Sequence, residues 1–492
     1  MEKIIKATYC FVFASCFIFS ISCKKGNSKK ENGVNISSYN AASTKELCES
    51  SWFPHAQTPP PEEGKGSPFD TISTTNAIFH QWSWQKFLWL TKPIPSEKNS
   101  KDSIPLFLNS EEVFQISSHM DTIYSLPKGE VKLNLKKQAG SGGILQTNGD
   151  YNENKKSYTV YYSIHVDTKF YNAAEKFMKL IKKGILEKNN KKVFPVGALE
   201  LKVSWVDKNA IPEGKRKDYY ITKAYIEKET TITEVAMLGM HVVGVVENHP
   251  EFIWATFEHD GMAPNYNWDA NKASSREELL FFEKGETSGI DGITWVKVEK
   301  DRSKDSVKLK NKAFDLFQYG VPKNNGGGFM ETSQKEPENF DNIKKINQCV
   351  KDNLSKENGS WKNYFYNGSI WIDTDGLTSL QQASLITGLA KSISNAYPES
   401  FARGSLNCAN VTMETYTQTF QDSIQKINIS NLANCFSCHN SIDRSNNNNS
   451  PLYLSHIFRD YLERKTENKA FEQVELEKSK QELLDYQRNK LK

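Results

Sequence analysis

The 492-residue sequence has no apolar run of the roughly 20 residues that a bilayer-spanning helix needs. That excludes a helical polytopic membrane protein. It also has little charge excess: 63 Lys and Arg face 59 Asp and Glu, a formal net charge of +4. So small an excess does not point to nucleic acid. There is no internal repeat, and no Walker loop, G-x-G-x-x-G or G-x-S-x-G sequence. Cysteines number only eight, too few for a disulfide-built scaffold. What is present is 38% hydrophobic and 12% aromatic, with 10 Trp, 20 Tyr and 27 Phe. Such a chain can bury one large core or two ordinary ones.

Residues Met1 to Lys6 carry two lysines, and an uncharged, mostly apolar stretch runs from Ala7 to Ser22. This pattern predicts a secretory signal peptide over 1–22. The stretch ends Ser20-Ile21-Ser22-Cys23, with Lys24-Lys25 behind it. Small residues before a cysteine resemble a bacterial lipobox, which makes Cys23 the expected lipidation site; an ordinary cleavable signal is the alternative. The expected location is therefore outside the cytoplasm, lipid-anchored to the periplasmic face or the outer membrane. Cys48, Cys349 and Cys408 can then form at most one disulfide among themselves, and spacing does not choose the pair.

Polar residues rich in Ser, Asn, Lys and Pro follow, including Thr58-Pro59-Pro60-Pro61. They predict a spacer over 23–66, with local docking open to Cys48, Trp52 and Phe53. Thr75 to Leu90 reads as a buried helix, apolar on most faces. Strand patterns follow at Tyr158–Val166, Leu199–Trp205, Asp218–Glu227, Ile232–Val246 and Phe252–Glu258, with a helix pattern at Ala173–Ile181. Short connections favour antiparallel neighbours. Further helices are expected over Ser379–Ala396 and Val411–Ile424, and loops at Asn324–Gly328 and Ser445–Ser450. The expected fold is α+β: a central antiparallel β-sheet with packed helices and a C-terminal helical segment. The expected parts are a β-rich body over 67–400, an attachment segment over 401–450 and a charged helical tail over 451–492.

The most specific motif is Cys435-Phe436-Ser437-Cys438-His439. C-x-x-C-H is the attachment sequence of c-type haem. Two thiols add across the two vinyl groups on one porphyrin edge, and the next residue supplies an imidazole to the iron. The expected cofactor is one covalent haem c on Cys435 and Cys438, with His439 as proximal ligand. A thioredoxin-like dithiol should follow a core strand, which Asn428 to Asn434 is not. A zinc site needs a fourth ligand, for which Cys408 or His456 are the candidates.

No methionine follows His439, so the sixth ligand is open. His456 gives bis-histidine ligation if the intervening chain folds back. Met413 lies just before the motif, on a stripe that also suits core packing. His241 sits in an apolar strand, and His259 ends another. A vacant sixth position is the remaining option. The choice matters, because two strong ligands restrict iron to electron transfer whereas an open site admits small molecules. Glu258-His259-Asp260 looks like an acid–base cluster, although strand neighbours point to opposite faces. Arg403 is a candidate partner for a haem propionate. Lysines from Lys179 to Lys192 make a solvated face that can steer an acidic redox partner.

Several segments are familiar together: Trp84 to Leu88, Ala198 to Trp205, Leu238 to Val243, Ile253 to His259 and Asn410 to Gln418, the last shortly before the C-x-x-C-H run. The set resembles large exported bacterial proteins labelled cytochrome c family protein. The resemblance spans roughly residues 75–440 and implies one covalent haem near the C-terminus of a larger non-cytochrome body. The expected role is electron transfer with a redox partner protein or a small-molecule donor or acceptor. A haem-dependent oxidoreductase or peroxidase-like enzyme and a haem-containing sensor are the alternatives. The membrane is reached through the lipid anchor, and no nucleic-acid partner is expected.

Overall fold

The computed structural model describes residues 47–467 except for 97–98, 110, 118–119, 124–125, 134–144, 227–231, 268–269, 271, 288–294, 298–306, 310–315, 319–337, 389–400, 406–407, 415–433 and 444–447. The expected signal peptide and Cys23, the loop at 324–328 and the tail from 468 lie outside the described residues. So do parts of two expected helices, 389–396 and 415–424.

A nine-stranded sheet organises the chain. Its strands are β1 (Val113–Ile116), β2 (Val131–Leu133), β3 (Val160–Asp167), β4 (Leu199–Asp207), β5 (Ile221–Ile226), β6 (Ile232–Val246), β7 (His249–His259), β8 (Tyr364–Ile372) and β9 (Ala402–Gly404). The main order is β9-β8-β7-β6-β4-β3-β1, antiparallel throughout. β5 joins the first part of β6, and β2 adds to β5 in parallel. The helices are α1 (Asn76–Thr91), α2 (Leu106–Asn109), α3 (Thr168–Lys182), α4 (Asn339–Leu354), α5 (Ser379–Gly388), α6 (Cys435–Cys438) and α7 (His456–Glu467). The fold is mixed α+β around a large antiparallel sheet.

Both sheet faces are covered. On one face α1 and α4 bury Phe79, Trp84, Phe87, Ile343 and Val350 against Leu201, Val203, Val242 and Phe257. Phe87 stacks on Phe257 with centroids 4.2 Å apart, and burying such a ring contributes about 1.5–3 kcal/mol. On the other face Phe170, Ala174 and Met178 of α3 pack with Val243, Trp254, Phe436, Leu454 and Phe458. The strand at 160–167 shows the consequence. Ser163 and His165, which alternate with the apolar Tyr162, Ile164 and Val166, are buried. Trp205 Nε1 donates to Ser163 Oγ at 2.9 Å, and burial lowers the His165 pKa to about 3. α3 begins five residues earlier than its apolar spacing shows, because the Asp167 side chain caps it by accepting from Phe170 N at 2.8 Å.

Three expected boundaries move. Residues 47–66 do not form a spacer: Trp52 and Thr58 are buried, and Glu63 pairs with buried Lys86 of α1 at 2.7 Å. Residues 401–450 are not a separate segment, since β9 is an edge strand of the main sheet. Residues from 451 are not all tail, because Leu452, Tyr453, Leu454 and Phe458 are fully buried. The described residues belong to one compact unit.

The disulfide left open by spacing is Cys48–Cys349, across 301 residues. It staples the stretch before α1 onto α4. Long closed loops constrain the unfolded chain most. Cys48→Ala/Cys349→Ala is expected to cost about 2–5 kcal/mol, read as a lower urea midpoint with a steeper slope as the unfolded chain expands. An unchanged midpoint would show that the cross-link does not constrain the unfolded chain.

Candidate haem attachment site

The C-x-x-C-H run is one helical turn fixed at both ends. Asn434 caps α6, with its backbone N–H donating to Ser437 Oγ at 3.0 Å in a capping box. Phe436 is buried and anchors the turn in the core. His439 N donates to Cys435 O at 2.8 Å. Cys435 and Cys438, half-buried, carry thiols rather than a disulfide.

The chain then returns beneath its own motif. Ser450 caps the turn Pro451–Leu454 by accepting from Leu452 N. The Leu454 carbonyl lies 2.9 Å from His439 Nδ1. A carbonyl only accepts, so Nδ1 carries the proton and Nε2 is the lone-pair nitrogen of the neutral ring. Burial, followed by the Lys202 cation, pushes the His439 pKa well below the usual imidazole value, and the Leu454 carbonyl only partly opposes them. The ring is therefore neutral near pH 7, the form that binds a metal. Its faces are held as well. Trp254 lies on it with centroids 4.0 Å apart, and His456 stacks on it at 3.8 Å and 23°.

The sheet supplies the floor. Register places Lys202 beside His241 and His241 beside Thr256, with Trp254 two residues earlier on the same face. His241 Nδ1 is 3.0 Å from Thr256 Oγ1, and its Nε2 is 2.9 and 3.0 Å from the two Glu414 oxygens. Residues 410–414 form a strap over this face. Asn410 Nδ2 donates to Phe257 O at 3.1 Å, and Thr412 Oγ1 lies 2.6 Å from Ser204 Oγ. The strap sits so close that a Cβ at Gly239 would come within 2.8 Å of Asn410 Nδ2. Ser455 Oγ donates to buried Glu200 at 2.6 Å, tying the returning chain to β4. Burial raises the Glu200 pKa to about 7 despite that bond.

Of the candidate sixth ligands, two lie beside His439 or within electrostatic reach of it. His456 is beside the His439 imidazole, with Nε2 3.0 Å from Cys438 O. Two imidazoles on opposite sides of one iron stand end to end, whereas these two are stacked face to face. His241 lies on the same sheet face, with both nitrogens engaged as above. Met413 is buried in a different cluster, with Leu238 and Met262. His259 faces the other side of the sheet, stacked on Tyr219 at 3.6 Å. Its Nε2 is bonded to Asp218 O and its Nδ1 accepts from Gly261 N, and burial lowers its pKa to about 3. The run 258–260 diverges: Glu258 accepts from Val411 N, and Asp260 pairs with Lys351 at 2.7 Å. Arg403 pairs with Asp373 at 2.8 Å.

Trp254, the Leu454 carbonyl, Lys202 and Glu414 are site residues that motif reasoning did not single out. Lys202, Trp254 and Glu414 each lie inside a segment that carries the family resemblance. A backbone carbonyl leaves no trace in sequence. Among the described residues no group of three or more His, Cys, Asp or Glu side chains could hold a metal ion. A haem iron, held in its macrocycle, draws only one or two ligands from the chain. No helix among the described residues is long and apolar enough to cross a membrane. No protein-family model, no curated protein and no solved structure matches the chain. The cytochrome c resemblance thus rests on its motifs.

Proposed function

We propose that the chain is an exported, lipid-anchored monohaem protein that passes electrons through haem c held by Cys435 and Cys438. The observation carrying this reading is the preparation of His439: a neutral ring, its Nδ1 proton given to Leu454 O and both faces packed. That arrangement suits an iron ligand, because a hydrogen bond at the far nitrogen fixes tautomer and orientation. Haem would supply a one-electron couple close to the body. The residues around it would hold the proximal ring still, exclude water and set the local charge through Lys202 and the His241–Glu414 pair. The partner is a redox protein or a small-molecule donor or acceptor.

One observation favours a second reading, an open-site oxidoreductase or sensor. His259 and Met413 lie in other parts of the core, and both nitrogens of His241 are already bonded. The decisive measurement is the optical spectrum of reduced, haem-matured protein with and without carbon monoxide. A low-spin spectrum indifferent to carbon monoxide is the result expected for electron transfer. A carbon-monoxide-sensitive spectrum supports the second reading, and absence of covalent haem defeats both.

A further inference from the structure

Asparagine followed by glycine is the pair in which a backbone nitrogen most readily attacks the side chain before it, because glycine has no Cβ to obstruct the approach. Three such pairs lie among the described residues: Asn148-Gly149, Asn358-Gly359 and Asn367-Gly368. The fold treats them differently. Asn148 is 1% exposed, its Nδ2 donates to Glu278 Oε2 at 2.9 Å and to Phe282 O at 3.2 Å, and its Oδ1 accepts from Asp150 N at 2.9 Å. Asn367 is buried in β8, and its Nδ2 donates to Glu258 Oε1 and to Ala409 O, both at 3.3 Å. Asn358 and Gly359 are exposed, in the bend that leads from α4 towards β8. Among the described residues neither of them makes a hydrogen bond. A Cβ placed on Gly359 would meet nothing within 4 Å. The bend is held at its two ends instead: Leu354 and Trp361 are buried, and Glu357 Oε1 accepts from His55 N at 2.8 Å.

We propose that Asn358-Gly359 is a site of spontaneous covalent modification, at which the asparagine amide is lost and isoaspartate and aspartate take its place. The Gly359 nitrogen gives its proton to hydroxide and attacks Asn358 Cγ. The new N–Cγ bond closes a succinimide ring, the Cγ–Nδ2 bond breaks, and Nδ2 leaves as ammonia with a proton from water. Water then opens the ring. Attack at the Asn358 main-chain carbonyl leaves the backbone running through Cγ, as isoaspartate; attack at Cγ restores the ordinary backbone, as aspartate. Nothing is oxidised or reduced, and water is the one co-reactant. Ring closure requires rotation of the Asn358 side chain and of the backbone bond before Gly359, which an exposed bend without hydrogen bonds permits. At Asn148 and Asn367 the reaction must wait for the fold to open, a state populated at about one part in a thousand or less. Isoaspartate inserts a methylene into the backbone of the bend, and either product adds a carboxylate beside Glu357. The inference does not depend on the haem reading.

The test holds the full chain at mildly alkaline pH, folded in one sample and unfolded in urea in another, and maps its peptides by mass spectrometry over weeks. Conversion is read as the mass gain from amide to acid. Isoaspartate is read as methyl transfer from S-adenosylmethionine by an isoaspartyl methyltransferase. In urea all three pairs are expected to convert at similar rates. In the folded chain Asn358 should convert within about tenfold of its unfolded rate, since such a bend opens at little cost. Asn148 and Asn367 should slow by about a thousandfold or more and stay amides. Gly359→Ala should slow the conversion, and Asn358→Gln should abolish the methylated peptide. An Asn358 amide that persists in the folded chain while it converts in urea overturns the inference, as does conversion of Asn148 or Asn367 at the rate of Asn358.

Discussion

Cys435→Ala/Cys438→Ala, matured in a host with c-type haem machinery, is expected to retain no haem through denaturing electrophoresis, while wild type keeps its haem stain. The expectation follows from thioether chemistry, since only those two sulfurs bond to the porphyrin edge. Either single variant should keep one thioether and one intact vinyl group, moving the reduced absorption band to longer wavelength. His439→Ala is a different lesion. It leaves both thioethers, removes the proximal nitrogen and opens the sandwich between Trp254 and His456, so the iron should turn high-spin. The double variant should stay within about 2 kcal/mol of the haem-free wild type, because the turn is anchored by Phe436 and its capping box rather than by sulfur. Haem stain persisting in the double variant would remove Cys435 and Cys438 from the proposal.

Much of the sheet was legible because its strands are long and apolar. Ile232–Val246 emerged with the bounds its pattern predicts, and Leu199–Asp207 with two residues more. What the pattern hid was two-sided burial. Ser163, His165 and Glu200 occupy positions that alternation assigns to solvent, yet each is buried and hydrogen-bonded, which only tertiary contacts decide. The stretch from 47 to 66 packs although its composition predicts a spacer, because Pro-rich, polar composition describes an extended chain equally well whether it is free or laid on a surface. The candidate site is legible as a motif and illegible in its setting. Cys435, Cys438 and His439 announce themselves by spacing. That Leu454 O holds the imidazole, and that His456 stacks on it, depends on the chain doubling back after Ser450. The segments carrying the family resemblance turn out to be spatially related: 198–205, 238–243 and 253–259 are neighbouring strands, and 410–414 straps across them. Trp84 to Leu88 packs on the opposite face.

The largest stability effect is expected far from the motif, at His249. This ring is 1% exposed and lies 2.9 Å from Glu251 Oε1, itself fully buried, and 3.6 Å from Asp375 Oδ1. Burial alone lowers its pKa, but Glu251 and Asp375 outweigh burial and raise it to about 9. The ring is therefore an imidazolium at neutral pH. It joins the start of β7 to the end of β8 and to the stretch before α1, where Asp375 also accepts from Thr74 N at 2.8 Å, and Phe79 of α1 meets the ring edge-on at 4.8 Å. Asn248 and Phe252 flank the pair at φ of 63° and 67°, a strain of about 1–3 kcal/mol each that persists only where the surroundings over-determine it. His249→Ala leaves the Glu251 carboxylate buried without its cation and is expected to cost about 3–5 kcal/mol, measured as a lower urea midpoint at neutral pH. The sign with pH follows from linkage. The folded-state value is raised from 6.5 to about 9, so the stabilisation is fully present below 6.5 and is lost as pH rises through about 9. The loss amounts to about 3 kcal/mol. Wild type and His249→Ala should therefore differ most in the acid range and converge at alkaline pH, which cancels the titration of lysines and tyrosines common to both. A difference that instead shrinks as pH falls below 6.5 would show that His249 is neutral in the fold and stabilises it by packing on Phe69 and Phe79 alone.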